Sequence, residues 1–353
     1  MKKIFNWTYL SPLLAWALYL TTPIGANPIV NLLAGLFLIG SVMAAVHHAE
    51  VVAHRVGEPY GTIILAVAVT LLEASIIVSL MLAGGKGAEV YARDTLFAAV
   101  MLILNGILGI SMLVGALKFK EQGFDIKSVV IALVGLVAIL VLTLVLPNFT
   151  TSVAGPRYSE PQLIIVTVAC LVIYGSFLFT QTIRHRQYFL AEASEDEATI
   201  ISRKEMLASL LLLLVCLAVV ILLAKKLSPV IEKAVAGAGL PNALVGVFIA
   251  AIILLPEGIA AVRAASKNRF QTSINLALGS ALASIGLSVP TVAILCTVMD
   301  LPLVLGLDPK SMILLGLSVF TVMLSLNNGR TNGLYGTVLL VNLMAYLLTI
   351  IYE

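Results

Sequence analysis

Charge is scarce in this chain. Of its 353 residues, 11% are Asp, Glu, Lys or Arg, where a soluble domain carries about 25%. Hydrophobic residues make up 60%, and the mean hydropathy is +1.09. They fall in long runs rather than in the short stripes of a soluble helix. A soluble globular class is therefore excluded, and an all-α polytopic membrane protein is expected. The small net charge of +3 argues against nucleic acid as a partner. Cysteine is nearly absent: Cys170, Cys216 and Cys296 all sit inside apolar runs, where they read as small core residues rather than a disulfide or metal framework. The His-Glu-x-x-His pattern of a zinc protease is missing, and no Ser-His-Asp set or phosphate-binding loop stands out. The chain therefore reads as no enzyme. The alternation of a membrane β-barrel strand is missing too.

What is present is a series of spans. A crossing helix needs about 20 mainly apolar residues. Eleven segments qualify, near 7–23, 29–54, 60–83, 93–117, 128–147, 161–183, 205–225, 241–263, 270–298, 311–327 and 333–351. The opening MKKIFNWTYLSPLLAWALYL resembles a signal peptide but reads better as a first membrane helix with a basic flank. With the N-terminus inside, 14 of the 21 Lys and Arg residues fall on the inner side and 7 on the outer. That bias predicts a cytoplasmic N-terminus and, after eleven spans, an external C-terminus.

The longest polar stretch, RHRQYFLAEASEDEATIISRKEM, divides the spans into one plus five and five more. The expected organisation is an extra N-terminal helix (1–27), a first five-helix half (28–186), a cytoplasmic acidic linker (187–203) and a second half (204–353). Within the linker, Glu192, Glu195, Asp196 and Glu197 read as a solvated run. An odd number of spans per half implies that the second half is inserted upside down. The halves match in sequence: Gly57 and Pro59 precede Glu73, and Gly239 and Pro241 precede Glu257. Inverted repeats with a midplane site are a common plan for secondary transporters.

Glu73 and Glu257 each lie roughly halfway along a span, at a depth where a carboxylate costs several kcal/mol, roughly 3 on insertion scales. The following spans hold mid-depth polar groups: Asn105 beside Gly106 in the first half, Ser280 and Ser284 in the second. Carboxylate, amide and hydroxyl oxygens suit Ca²⁺, Na⁺ or K⁺. Desolvation and mutual repulsion favour the protonated form of paired carboxyls, so the same groups would also hold protons. A site that takes either cation or protons, exposed to each side in turn, is an antiporter. Pro256 before Glu257 removes a backbone donor, as broken transporter helices do. The competing reading is a scaffold or receptor whose glutamates only pin helices together.

A second cluster lies in HHAEVVAHRVGE. His47 and Glu50 are three apart, and Glu50 and His54 four apart, so they share a helix face. The plainer reading is a helix end whose titratable groups face the cytoplasmic entrance; the sharper one is a proton path.

At these residues the chain resembles the calcium/cation–proton antiporters, in their bacterial ChaA-type branch. The resemblance covers nearly the whole length after the first span. It rests on AEVVAHRVGEPYG (49–61) leading to Glu73, on Asn105, on Gly279-Ser280 after Glu257, and on NNGRTNGLYG (327–336). It implies that Glu73 and Glu257 bind cation and protons and that Asn105 and Ser280 line the site. Exchangers dedicated to calcium carry Gly-Asn-Ala-x-Glu in both repeats. Here the Gly and Asn positions are Val69 and Thr70, then Ile253 and Leu254, and Ser284 replaces a glutamine. The expected function is export of Ca²⁺, Na⁺ and K⁺ for H⁺ across a bacterial inner membrane, with no cofactor beyond the transported ions. The lipid bilayer and inorganic cations are the expected partners. The alternative is a strictly Ca²⁺-specific exchanger.

Overall fold

The structure is a computed structural model that describes residues 7–25, 27–57, 60–83, 88–189 and 201–352. Pro59 and the acidic run from Glu192 to Glu197 lie outside the described residues. Thirteen α-helices are described. They are α1 (Trp7–Thr21), α2 (Pro28–Val56), α3 (Tyr60–Ala83), α4 (Tyr91–Met101), α5 (Leu108–Phe119), α6 (Ile126–Leu140) and α7 (Glu160–Phe179). The rest are α8 (Arg203–Gly237), α9 (Ala243–Ser266), α10 (Phe270–Gly286), α11 (Ser288–Val298), α12 (Pro309–Ser325) and α13 (Gly333–Ile351). Short π-helical turns follow α4, α6 and α7, at Leu102–Ile107, Val141–Val145 and Thr180–Arg184. Among the described residues the β-structure is one isolated bridge, Gly123 to Arg330.

All eleven expected spans are helical. Nine helical segments are long and apolar enough to cross a membrane among the described residues. The two shorter ones are α1, of 15 residues, and α12, of 17. One boundary differs clearly. The expected seventh span stops at Lys225, but α8 continues to Gly237, for 35 residues. At 1.5 Å per residue that is about 50 Å, longer than a bilayer core of about 30 Å. The last third, with Lys225, Lys226, Glu232 and Lys233, extends the helix past its apolar stretch.

Local chemistry sets the starts. Asn27 caps α2 by accepting from the Ile29 amide, with Pro28 in the first turn. Ser202 and Glu205 form a capping box at α8. Asp308 caps α12 just before Pro309, and Asn332 caps α13. Large apolar side chains face outward along the spans: Ile165 is 69% exposed, Ile313 71% and Val298 78%. Such a surface belongs in lipid, because soluble proteins do not expose contiguous apolar faces of this kind.

The chain forms two compact units, each drawn from both sequence halves. One comprises Met1–Tyr91 with Asp196–Ile253, and the other Ala92–Glu195 with Leu254–Glu353. In the first unit, α2 packs against α3 and α8, and α1 lies on α2 and α8. Small residues let these helices approach: Ala34, Ala44, Ala45 and Ala49 of α2 have no exposed surface, and a Cβ on Gly40 would collide with Ser11 of α1. His48 ties the three together, with Nδ1 3.4 Å from Ser209 Oγ and Nε2 3.3 Å from the Thr8 carbonyl.

In the second unit, α5 packs on α13 and α6 on α10. Gly336 makes the first contact possible: a Cβ there would stand 2.7 Å from the Gly109 carbonyl oxygen and 2.8 Å from the Leu113 nitrogen. Gln271 of α10 joins α6 by donating to Ser128 Oγ at 2.8 Å and accepting from the Asp125 amide at 2.6 Å.

Candidate functional site

The two glutamate helices are the same length. Both α3 and α9 have 24 residues. Glu73 is fourteenth from Tyr60, and Glu257 is fifteenth from Ala243. Each therefore sits just past the middle, as the sequence pattern predicts. Each is also followed by a longer helical stretch broken by a local irregularity: Ala88–Phe119 by the π turn around Asn105, and Phe270–Val298 by the break between α10 and α11 at Leu287.

Glu73 belongs to the first unit and is 2% exposed. One turn before it lies Thr70, 5% exposed, whose buried hydroxyl oxygen has no hydrogen-bond partner. The other expected residues lie in the second unit. Asn105 is fully buried in the π turn, Ser284 is buried, and Ser280 and Glu257 are half-buried. The π turn packs against α10, which carries both serines, and against α12 and α13. On α9, a Cβ at Gly258 would stand 3.4 Å from the Ile107 side chain, so the residue after Glu257 meets the π turn that holds Asn105. The second unit thus holds Glu257, Asn105, Ser280 and Ser284, with α10 and the residue after Glu257 both packed on the turn that carries Asn105.

A π turn holds one residue more than an α turn and resets the direction of the side chains beyond it. Here it places Asn105 against α12. Its Nδ2 donates to Ser318 Oγ at 2.9 Å and to the Met101 carbonyl at 3.3 Å. Its Oδ1 is buried without a partner. Ser318, itself without exposed surface, had no distinguishing mark in the sequence. It is one hydroxyl in an apolar run, 213 residues from the asparagine it meets.

His47, Glu50 and His54 lie on the exposed side of α2, whereas the adjacent His48 is 1% exposed and bridges helices. All three cysteines are free and buried. Among the described residues no group of three or more His, Cys, Asp or Glu side chains is placed to hold a metal ion. Any cation bound near these glutamates would need amide, hydroxyl or backbone oxygens to complete its shell.

A separate charged cluster lies at one end of the second unit. Arg93 pairs with Asp94 at 2.8 Å and donates to the Gly306 carbonyl at 3.4 Å. Partial burial alone would push the Asp308 carboxyl up. Hydrogen bonds from the Ser311 hydroxyl and the Ser311 and Lys310 amides outweigh it, aided by the Arg93 charge, and hold Asp308 below the usual carboxylate range.

The sodium/calcium exchanger protein family matches residues 27–183 and 208–352. The chain belongs to that family. The matched stretches are the two five-span sets, and α1 precedes the first. The protein is a multi-pass, all-α membrane protein built on the family's repeats. It is 44% identical over 348 residues to y4hA of Sinorhizobium fredii, covering 97% of this chain and 95% of that one. It is 33% identical over 327 residues to the sodium-potassium/proton antiporter ChaA of Escherichia coli, covering 91% and 88%. Its fold matches that of the Ca²⁺/H⁺ antiporter YfkE with a TM-score of 0.74 at 16% identity, over 98% of this chain and 100% of that one.

Proposed function

We propose that the protein is a secondary antiporter that exports cations, Na⁺ and K⁺ as well as Ca²⁺, in exchange for protons entering across a bacterial inner membrane. The observation that carries this reading is the pair of glutamates at matching positions along two apolar 24-residue helices. Carboxylates so deep in apolar helices are costly, and such residues mark ion and proton pathways. Glu73 and Glu257 take up either a cation or protons. Thr70, Asn105, Ser280 and Ser284 supply the neutral oxygens. Because a protonated carboxyl is a poor cation ligand, proton loading on one side releases the cation, and cation loading on the other releases the protons. Alternating exposure then couples the two flows.

The breadth of cations rests on two supports. One is the similarity to a relative named as a sodium-potassium/proton antiporter. The other is the ligand chemistry: Ca²⁺ wants 6–8 oxygens, and the positions one turn before the glutamates carry Thr70 and Leu254 instead of amides. The test is proton flux in everted vesicles energised to an acidic interior. Adding Na⁺, K⁺ or Ca²⁺ separately should discharge the gradient in each case. A response to Ca²⁺ alone would establish the strictly calcium-specific exchanger instead, and no response to any of them would refute antiport.

A further inference from the structure

The proton count around Asn105 decides which way its amide faces. A serine hydroxyl has one proton to give. That of Ser318 goes to the Leu314 carbonyl one turn back on α12, at 2.8 Å. Its other neighbour, the Met101 sulfur at 3.5 Å, is a weaker acceptor. Towards Asn105, then, Ser318 Oγ can only accept. The Met101 carbonyl can only accept as well. Both demand the NH₂ end of the amide, and its two protons serve these two partners. The reversed amide would set Oδ1 against two acceptors. The carbonyl oxygen is therefore turned away from both, and it is buried with nothing to accept from. Buried acceptors are nearly always paired. This unpaired oxygen lies on the π turn whose Ile107 side chain meets Gly258, the residue after Glu257.

We propose that Ser318 is a positioning residue for cation binding: it locks the Asn105 amide so that Oδ1, and not Nδ2, is offered to the transported ion. An NH₂ group facing the ion would repel it, so the lock acts on affinity rather than on the exchange step. The inference rests on the reading that Asn105 lines the cation site. It adds a residue on α12, a helix to which the sequence pattern assigned no site residue.

The test compares Ser318→Ala, Ser318→Thr, Asn105→Ala and the Ser318→Ala/Asn105→Ala double variant in reconstituted vesicles. The readouts are the cation concentration at half-maximal proton flux and the maximal flux, with Na⁺, K⁺ and Ca²⁺ tested singly. Ser318→Ala should raise the half-saturating concentration roughly tenfold, the scale of one lost contact to a charged group, while maximal flux changes little. Ser318→Thr keeps the hydroxyl and should restore wild-type affinity. The double variant should match Asn105→Ala alone, because Ser318 acts through that amide. If Asn105→Ala weakens binding and Ser318→Ala does not, the inference fails while the site reading stands. If Asn105→Ala itself has no effect, both fail. Should Ser318→Ala not fold, Ser318→Cys replaces it, since a thiol is a poor acceptor. Wild-type affinity in that variant overturns the inference.

Discussion

Gly57 and Gly239 share a left-handed backbone, with φ of 77° and 69°, each just past the end of the helix that leads into a glutamate helix. Neither glycine has an atom within 4 Å of where a Cβ would stand. Space therefore allows a side chain at both, and only the backbone forbids one. Gly57 has ψ of 170°, a combination found almost solely in glycine. Gly57→Ala should cost about 1–3 kcal/mol and Gly239→Ala somewhat less. Gly35→Ala, in the body of α2 with equally open space, should be neutral or stabilising by about 0.5–1 kcal/mol. Thermal unfolding in detergent would show the order. Equal behaviour of Gly57→Ala and Gly35→Ala would remove the conformational argument.

Glu73→Gln and Glu257→Gln should each abolish exchange in a protein that still folds. The amide keeps the size of the side chain and loses its charge and its proton exchange. Vesicle flux and a size-exclusion profile together make the measurement. Near-normal flux in either folded variant would end the two-carboxylate mechanism.

Asp308→Asn should weaken the fold in a pH-dependent way. The folded carboxyl is held below its ordinary value, so the stability it confers is complete above the unfolded value of about 3.9 and is lost as pH falls through the folded value. Asn can still accept from the Lys310 and Ser311 amides, so the loss is that of the charge at the helix start, about 0.3–1 kcal/mol at neutral pH. The difference in unfolding temperature between wild type and variant should be largest near neutrality and shrink below about pH 4. A constant gap across that range would mean that the Asp308 charge adds nothing.

Thr70→Asn combined with Leu254→Asn should raise the ratio of Ca²⁺ to Na⁺ transport. Each position lies one turn before its glutamate, and an amide oxygen there favours the ion that wants more ligands. Leu254 is 3% exposed, so its replacement buries a polar group, and folding is checked first. An unchanged ratio in the folded double variant would move selectivity to Asn105, Ser280 and Ser284.

The helical spans, the mid-helix positions of Glu73 and Glu257 and the glycines before them were all legible in the chain. The reasons are local. Long apolar runs can satisfy their backbone in lipid only as helices. A glutamate stands out in such a run, and a glycine before a proline marks a helix end. Other relationships were set only by tertiary structure. Nothing in HH47–48 separates the exposed His47 from the buried His48, and nothing in α12 points Ser318 at Asn105. In a soluble helix the polar face would tell inside from outside. In α2, α3 and α12 lipid and protein core are equally apolar, so hydropathy cannot show which face a residue takes. That choice depends on which helix packs alongside, and the partner of Asn105 is contributed from 213 residues away.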